Sequence, residues 1–132
     1  IPGIGLLTAV CLLVVTVNFT LCQTPEQAVS YAGLAPREWR SGSSVRSRSR
    51  IGHTGNGRLR RTLYLASLSA TRFNPVIKPF YQRLRAAGKP AKVAQCAAAR
   101  KLLHVAWAVV SKEQDFDPAY CVVGQQQERA AA

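Results

Sequence analysis

The chain has 132 residues, 48% of them hydrophobic and 18% charged, a composition that excludes an intrinsically disordered protein and predicts one modest folded domain. Eighteen basic residues face six acidic ones, which gives a formal net charge of +12 and a pI near 10.5. Because the basic residues are clustered and are mostly arginine, this excess predicts a polyanionic partner, nucleic acid in preference to a membrane surface.

The chain opens with a Pro-Gly-x-Gly turn, "IPGIG", followed at once by an apolar segment. Gly3 and Gly5 would let the backbone pass close to a phosphate, and the helix behind them would aim free N–H groups at it. This arrangement resembles the hairpin and second helix of a helix-hairpin-helix motif, and an ordinary tight turn is the alternative. We expect residues 4–17 to form a buried helix, because the segment is shorter than the ~20 apolar residues of a membrane-spanning helix. A membrane anchor is the alternative for this segment.

Two helices with clear end signals are predicted next. In "TPEQAVSYAG", Thr24 can cap the start of a short helix and Gly33 can end it. In "NGRLRRTLYLASLSATRF", Asn56 can cap the start of a longer one. The three-to-four spacing predicts that its buried face consists of Leu59, Leu63, Ala66 and Ala70.

Two further helices complete a predicted all-α domain with one long basic loop over residues 36–55, for which a short hairpin is the alternative. The first starts at Asn74-Pro75, closes at Gly88 and contains Pro79, a residue that can kink a helix. The second is the long segment "AKVAQCAAARKLLHVAWAVVSK". Its predicted inward residues are Val93, Ala97, Leu102, Val105, Ala106 and Val109. We assign residues 1–118 to the domain and 119–132 to a polar tail that frays.

The four cysteines do not form a metal-binding pattern. They lie at positions 11, 22, 96 and 121, and no two have a metal-ligand spacing such as CxxC. The two histidines are paired neither with each other nor with cysteine. We therefore expect no metal site in this chain.

Arginine dominates the stretch from Pro36 to Arg61, which holds eight arginines and one acid. Guanidinium groups grip phosphate with two hydrogen bonds and stay charged, so this stretch predicts contacts to a nucleic-acid backbone. Three of the arginines crowd the first turn of a helix, where cations oppose the helix dipole unless an anion is bound. The predicted phosphate-binding residues are Arg37, Arg40, Arg46, Arg48, Arg50, Arg58, Arg60 and Arg61.

A serine among these arginines is a candidate nucleophile. Neighbouring guanidinium groups would favour its alkoxide and would hold a phosphodiester while charge builds on the phosphate oxygens. Ser41 precedes Gly42, which would let DNA approach without obstruction by a side chain, and Ser43 and Ser44 are local alternatives. A flexible tract that only binds DNA or RNA is the other interpretation of this segment.

Four segments occur in one order, "IPGIGLLTA", "YAGLAPREWRSGSSVR", "GNGRLRRTLYLASLSA" and "FYQRLRAAGKPAKVAQCAAARKLL". Together they resemble the C-terminal part of insertion-sequence transposases of the IS-110/116/902 type. The resemblance implies that Ser41, in its Ser-Gly context, is the nucleophile for DNA strand cleavage and exchange. It also implies a structured bridge RNA as guide, assembly into a homo-oligomer, no membrane association, and a cytoplasmic protein that acts at the nucleoid.

The resemblance further implies an N-terminal RuvC-like domain whose DEDD acidic cluster holds magnesium. The sequence begins with Ile1 and contains no methionine, so we expect it to be a fragment without that domain and inactive alone. It departs from the expected pattern at Ser47, where we expect glycine, and at His53 and Thr54, where we expect a basic pair. A non-catalytic helix-hairpin-helix module that binds nucleic acid and a membrane-anchored basic protein are the alternative functions.

Overall fold

Five helices form the domain in a computed structural model, which describes residues 1–37 and 50–119. The helices are α1 (Leu6–Val15), α2 (Pro25–Ala32), α3 (Gly57–Phe73), α4 (Ile77–Ala86) and α5 (Ala91–Ser111). Two strands of two residues each, β1 (Pro36–Arg37) and β2 (Arg50–Ile51), pair antiparallel. The prediction of an all-α domain is confirmed.

Helix α5 is the centre of the packing, because α2, α3 and α4 all lie against it. Within the described residues it is also the one helix long and apolar enough to cross a membrane, a property that a core helix shares. Its buried residues are Ala94, Gln95, Ala98, Ala99, Leu102, Leu103, Val105 and Ala106. The predicted inward face is therefore right for Leu102, Val105 and Ala106 and only partly right for Ala97 and Val109, which are half-buried.

The inward prediction is wrong for Val93, whose side chain is 54% exposed. This residue lies in the first turn of α5, and the buried face begins at the next residue, Ala94. Alanine occupies so many positions of α5 that apolar spacing alone does not define which side faces inward.

The core has two parts that meet at the N-terminal turn. One lies among α1, α2, α3 and α5 and includes Phe19, Leu59, Leu63 and Leu103. The other lies among α3, α4 and α5, and Ile1 and Ile4 pack against both parts. One polar contact joins α3 to α5 inside the core, because Gln95 Nε2 donates to Ser67 Oγ at 2.8 Å.

Helix α1 is largely exposed, which corrects the expectation of a buried helix over residues 4–17. Leu12 is its one buried residue, whereas Leu6, Leu7 and Val14 are 81%, 86% and 70% exposed. A continuous apolar run has no polar face to indicate its orientation, and in this domain α1 packs mainly on α3.

The predicted helix ends are confirmed at three positions. Thr24 Oγ1 accepts from the Gln27 amide at 3.2 Å, and Asn56 Oδ1 accepts from the Leu59 amide at 3.0 Å. Gly33 follows α2 in the left-handed conformation, with φ of 70°. The predicted buried face of α3 is also confirmed at Leu59, Leu63, Ala66 and Ala70.

Asn74 joins α3, α4 and the N-terminal turn. Its buried side chain donates from Nδ2 to the Pro2 carbonyl at 2.9 Å. Its Oδ1 accepts from the amides of Val76 at 2.9 Å and Ile77 at 3.1 Å, at the start of α4. Pro79 is the third residue of α4, in the first turn, where an amide has no partner within the helix and proline is tolerated.

Substitution Asn74→Ala should lower the free energy of unfolding by about 2–4 kcal/mol, because it leaves three backbone groups of the domain without their partner. The control Thr24→Ala removes one exposed cap and should cost about 1 kcal/mol. Urea unfolding followed by circular dichroism measures both. Equal losses for the two variants would contradict the joining role of Asn74.

Candidate nucleic-acid interface

The structure places only part of the predicted interface. Ser41, Arg40, Arg46 and Arg48 lie outside the described residues, as do Ser43 and Ser44. Arg37 and Arg50 are described by their backbone alone. The predicted residues described in full are Gly3, Gly5, Arg58, Arg60 and Arg61.

The chain on either side of residues 38–49 is paired. In the β1–β2 ladder Pro36 lies opposite Ile51, and Arg37 lies opposite Arg50. Two of the predicted phosphate-binding arginines are thus cross-strand neighbours. The two ends of the segment that carries Ser41 are therefore held next to each other on the domain.

A backbone contact between Gly33 and Gly55 lies beside this ladder. A Cβ atom on Gly55 would lie 2.6 Å from the Gly33 nitrogen, and both glycines have positive φ, 70° at Gly33 and 85° at Gly55. The Asn56 amide donates to the Tyr31 carbonyl at 2.8 Å, which fixes the start of α3 against the end of α2. Any side chain at either glycine would both clash and strain the backbone.

Arg60 ties the same region together from the first turn of α3. Its half-buried side chain donates from Nη1 to the Thr54 carbonyl at 3.0 Å and, in a longer contact, to the Gly33 carbonyl at 3.5 Å. The two carbonyl oxygens thus partly balance the positive charge of Arg60, which would otherwise interact unfavourably with the dipole of α3. The sequence gives no signal of this role, since Arg60 is one of three arginines in the same turn. Its contact with phosphate remains a prediction.

Arg58 and Arg61 are the exposed cations of the first turn of α3. No acidic residue lies in that turn, and the whole sequence from residue 39 to residue 112 contains none. Both side chains are therefore better placed than Arg60 to meet an anion from solvent.

The two glycines of the N-terminal turn have different surroundings. Gly3 has φ of 96°, and a Cβ there would lie 2.5 Å from the Cβ of Ala70, so this glycine serves the packing of the turn on α3. A Cβ added to Gly5 would have nothing within 4 Å, and Gly5 stands at the open start of α1, where no side chain caps the helix. The helix-hairpin-helix interpretation of the turn remains a prediction, and Gly5 is the accessible one of the pair.

The N-terminal turn and the arginines at the start of α3 do not form one compact site. Gly3 contacts Ala70, which lies twelve positions (70 minus 58) along α3 from Arg58. At 1.5 Å per residue this separation is about 18 Å. A ligand that touches both has to be an extended one, such as a nucleic-acid strand.

Two of the described cysteines, Cys22 and Cys96, have surroundings that suit a structural role. Burial raises the pKa of the Cys22 thiol. Burial also raises the pKa of Cys96, an effect that the nearby Arg60 charge partly offsets. Protonated thiols are poor nucleophiles and poor metal ligands. In residues 1–37 and 50–119, no three His, Cys, Asp or Glu side chains lie together in a way that could hold a metal ion.

Comparison with known proteins supplies the family. The pattern of the Transposase IS116/IS110/IS902 family matches residues 1–82. The chain is 39% identical over 119 residues to the pilin gene-inverting protein of Moraxella lacunata and 38% identical to that of Moraxella bovis. These matches cover 89% of this chain and 37% of each relative.

A third relative is an uncharacterized 43.6 kDa protein of insertion element IS110 from Streptomyces coelicolor. It is 34% identical over 109 residues, which are 83% of this chain and 27% of the relative. The chain thus spans between about a quarter and little more than a third of the length of these three relatives. Its sequence places it in the IS116/IS110/IS902 family of transposases.

Proposed function

We propose that this chain is the part of a DNA transposase or recombinase that binds the DNA backbone and supplies Ser41 as the nucleophile for strand cleavage and exchange. The observation that carries the proposal is the family membership, which covers the Ser41-Gly42 context. The function named for two relatives, inversion of a pilin gene, is a DNA rearrangement and supports the same class of reaction.

The described geometry supports the placement of a reactive group on this segment. The β1–β2 ladder and the Gly33–Gly55 contact hold both ends of residues 38–49 against the folded domain. A nucleophile on a segment tethered at both ends loses less freedom when its substrate binds than one on a free tail. The exposed Arg58 and Arg61 lie on the helix that begins beside this ladder.

In the proposed step, the Ser41 hydroxyl loses its proton and its oxygen attacks a DNA phosphorus. A new oxygen–phosphorus bond forms, and the bond from phosphorus to the leaving sugar oxygen breaks, which releases a sugar hydroxyl once that oxygen takes a proton. A hydroxyl of a second strand then attacks the phosphoserine, frees the serine and completes the exchange. Arginine side chains stabilise the negative charge that builds on the phosphate oxygens.

Magnesium and further partners enter this proposal through the family resemblance. The described residues do not fit a magnesium site, because they contain no suitable group of acids, and we therefore assign no step to the metal. We propose that the complete protein binds a structured guide RNA and assembles into a homo-oligomer. The alternative function is a non-catalytic nucleic-acid-binding module, which the departures at Ser47, His53 and Thr54 favour.

Substitution Ser41→Ala should abolish a covalent protein–DNA adduct and leave DNA binding intact. The test uses a chimera in which this chain replaces the matching residues of the Moraxella lacunata relative. Labelled nicked DNA that stays with the protein in a denaturing gel reports the adduct. Ser43→Ala and Ser44→Ala are the matched controls and should keep it. An adduct that persists in Ser41→Ala refutes the assignment, and binding without any adduct supports the non-catalytic module.

Arg60 and Arg61 provide a matched pair, one position apart and equal in charge. Arg61→Gln should weaken DNA binding with a change in unfolding free energy within about 0.5 kcal/mol, because the side chain is exposed. Arg60→Gln should cost about 1–3 kcal/mol of stability, because the Thr54 carbonyl loses a charged donor. Anisotropy with a short duplex and urea unfolding separate the two effects. A stable Arg60→Gln variant that binds like Arg61→Gln would contradict the division of roles.

The glycines of the N-terminal turn test the helix-hairpin-helix interpretation. Gly5→Ala fits the structure and should leave stability nearly unchanged, yet it should weaken DNA binding if a phosphate approaches this amide. Gly3→Ala should unfold more easily by about 2 kcal/mol or more, because its methyl group meets Ala70 and its φ is positive. If Gly5→Ala binds DNA as well as the parent chain does, the turn is only a structural one.

A further inference from the structure

We propose that the outer face of α4 and the turn into α5 form a second surface for the backbone of duplex DNA. This basic surface consists of Lys78, Arg85, Lys89 and Lys92, none of which belongs to the arginine–serine segment. The inference rests on the DNA-binding part of the proposed function and is independent of the role of Ser41.

The four side chains are exposed and follow one another along α4 and into α5. Lys78 and Arg85 are seven residues apart on α4, which places them two turns apart on one face of the helix. The Arg85 Nη1 donates to the Lys89 carbonyl at 2.6 Å, so the helix end and the turn are held together. Lys92 follows in the first turn of α5, where a cation opposes the helix dipole and a bound anion would relieve that cost.

Nothing acidic in the neighbouring sequence neutralises this surface, because residues 39–112 contain no Asp or Glu. Among the described acids, Glu113, Asp115 and Asp117 follow the far end of α5. The helix has 21 residues and is therefore about 30 Å long. That distance is well beyond the screening length of about 10 Å at 0.1 M salt.

The remaining described acid, Glu26 of α2, lies near the C-terminal half of α5, which is also far from the basic surface. The loop before α2 is held there, because Trp107 Nε1 donates to the Cys22 carbonyl at 2.9 Å. Trp107 is 15 positions (107 minus 92) from Lys92, or about 22 Å along the helix. The described acids and the basic surface thus lie toward opposite ends of α5.

The shape of α4 favours a nucleic-acid backbone over a lipid membrane. A helix that lies in a membrane interface needs an exposed apolar face beside its cations. The large apolar side chains of α4 are all buried or half-buried: Ile77, Phe80, Tyr81 and Leu84. Tyr81 lies between Lys78 and Arg85 on one face of the helix, but it packs against the core and offers no exposed apolar face. The exposed residues of α4 are three cations, one amide and two small apolar residues, namely Lys78, Arg83, Arg85, Gln82, Pro79 and Ala86. Cations without a large apolar neighbour suit phosphate contacts along a duplex.

The test measures binding of the whole 132-residue chain to a short labelled duplex DNA by anisotropy, at salt between about 50 and 200 mM. The double variant Lys89→Gln/Lys92→Gln is compared with Lys112→Gln/Arg129→Gln, which removes the same net charge elsewhere. If two phosphate contacts are lost, the slope of log K against log salt should fall in magnitude by about 1.8. The affinity of the first variant should then drop about tenfold or more at about 0.15 M salt, and that of the control much less.

Equal losses in both double variants would overturn the proposal, because they would indicate a general effect of net charge. An unchanged salt slope, or a difference seen only with an RNA duplex or with anionic lipid vesicles, would overturn it as well. A parent chain that binds no duplex DNA would overturn it too. The adduct assay on the Ser41 chimera has an outcome that is independent of this test. If no adduct forms but the expected difference in salt slope is measured, the assignment of Ser41 as nucleophile is refuted and the basic surface is supported. Circular dichroism of both double variants checks that they are folded.

Discussion

Close approach of helices through small side chains is the constraint on which this fold depends. Ala94, Ala98 and Ala99 of α5 are fully buried. Ala98 shares one part of the core with Ala70 of α3, and Ala99 shares the other part with Ala32 of α2. Alanine loses almost no side-chain entropy on burial and lets two backbones lie near each other, so a short chain can pack three helices around one. The cost is that these alanines bury little apolar surface, so larger residues such as Leu59 and Leu102, and the polar junction at Asn74, carry more of the stability.

The same packing determines where the arginine–serine segment is attached. Helices α2 and α3 both lie on α5, and their facing ends bring Gly33 against Gly55 with no room for a side chain. Arg60 then closes the contact through the carbonyl of Thr54. The segment over residues 38–49, which we propose to be reactive, is thus attached through backbone contacts of its neighbours. Those contacts depend on the packing of the helices and not on the segment itself.

Local signals in the sequence predicted much of the helical fold, because helix caps and an amphipathic period act over a few residues. The caps at Thr24 and Asn56 and the left-handed Gly33 follow from such short-range chemistry. The sequence failed where orientation depends on distant contacts, as for α1, whose uniform apolar run conceals that Leu6 is exposed. For the site it indicated the arginine-rich stretch, but the separate roles of Arg60 and its neighbours depend on carbonyls that lie elsewhere in the chain.

Uncompensated charge is the feature that packing does not explain. Residues 39–112 carry sixteen of the eighteen basic side chains and no acid, so the folded domain brings like charges together. Such repulsion disfavours the compact state, and surface substitutions to acid would relieve it without touching the core. The cations of this chain have two different roles. Arg60 binds backbone carbonyls and stabilises the fold. Exposed cations such as Arg61 and Lys89 remain available to bind a polyanion. Binding to DNA would then stabilise the folded domain, because counter-charge from phosphates replaces the missing carboxylates.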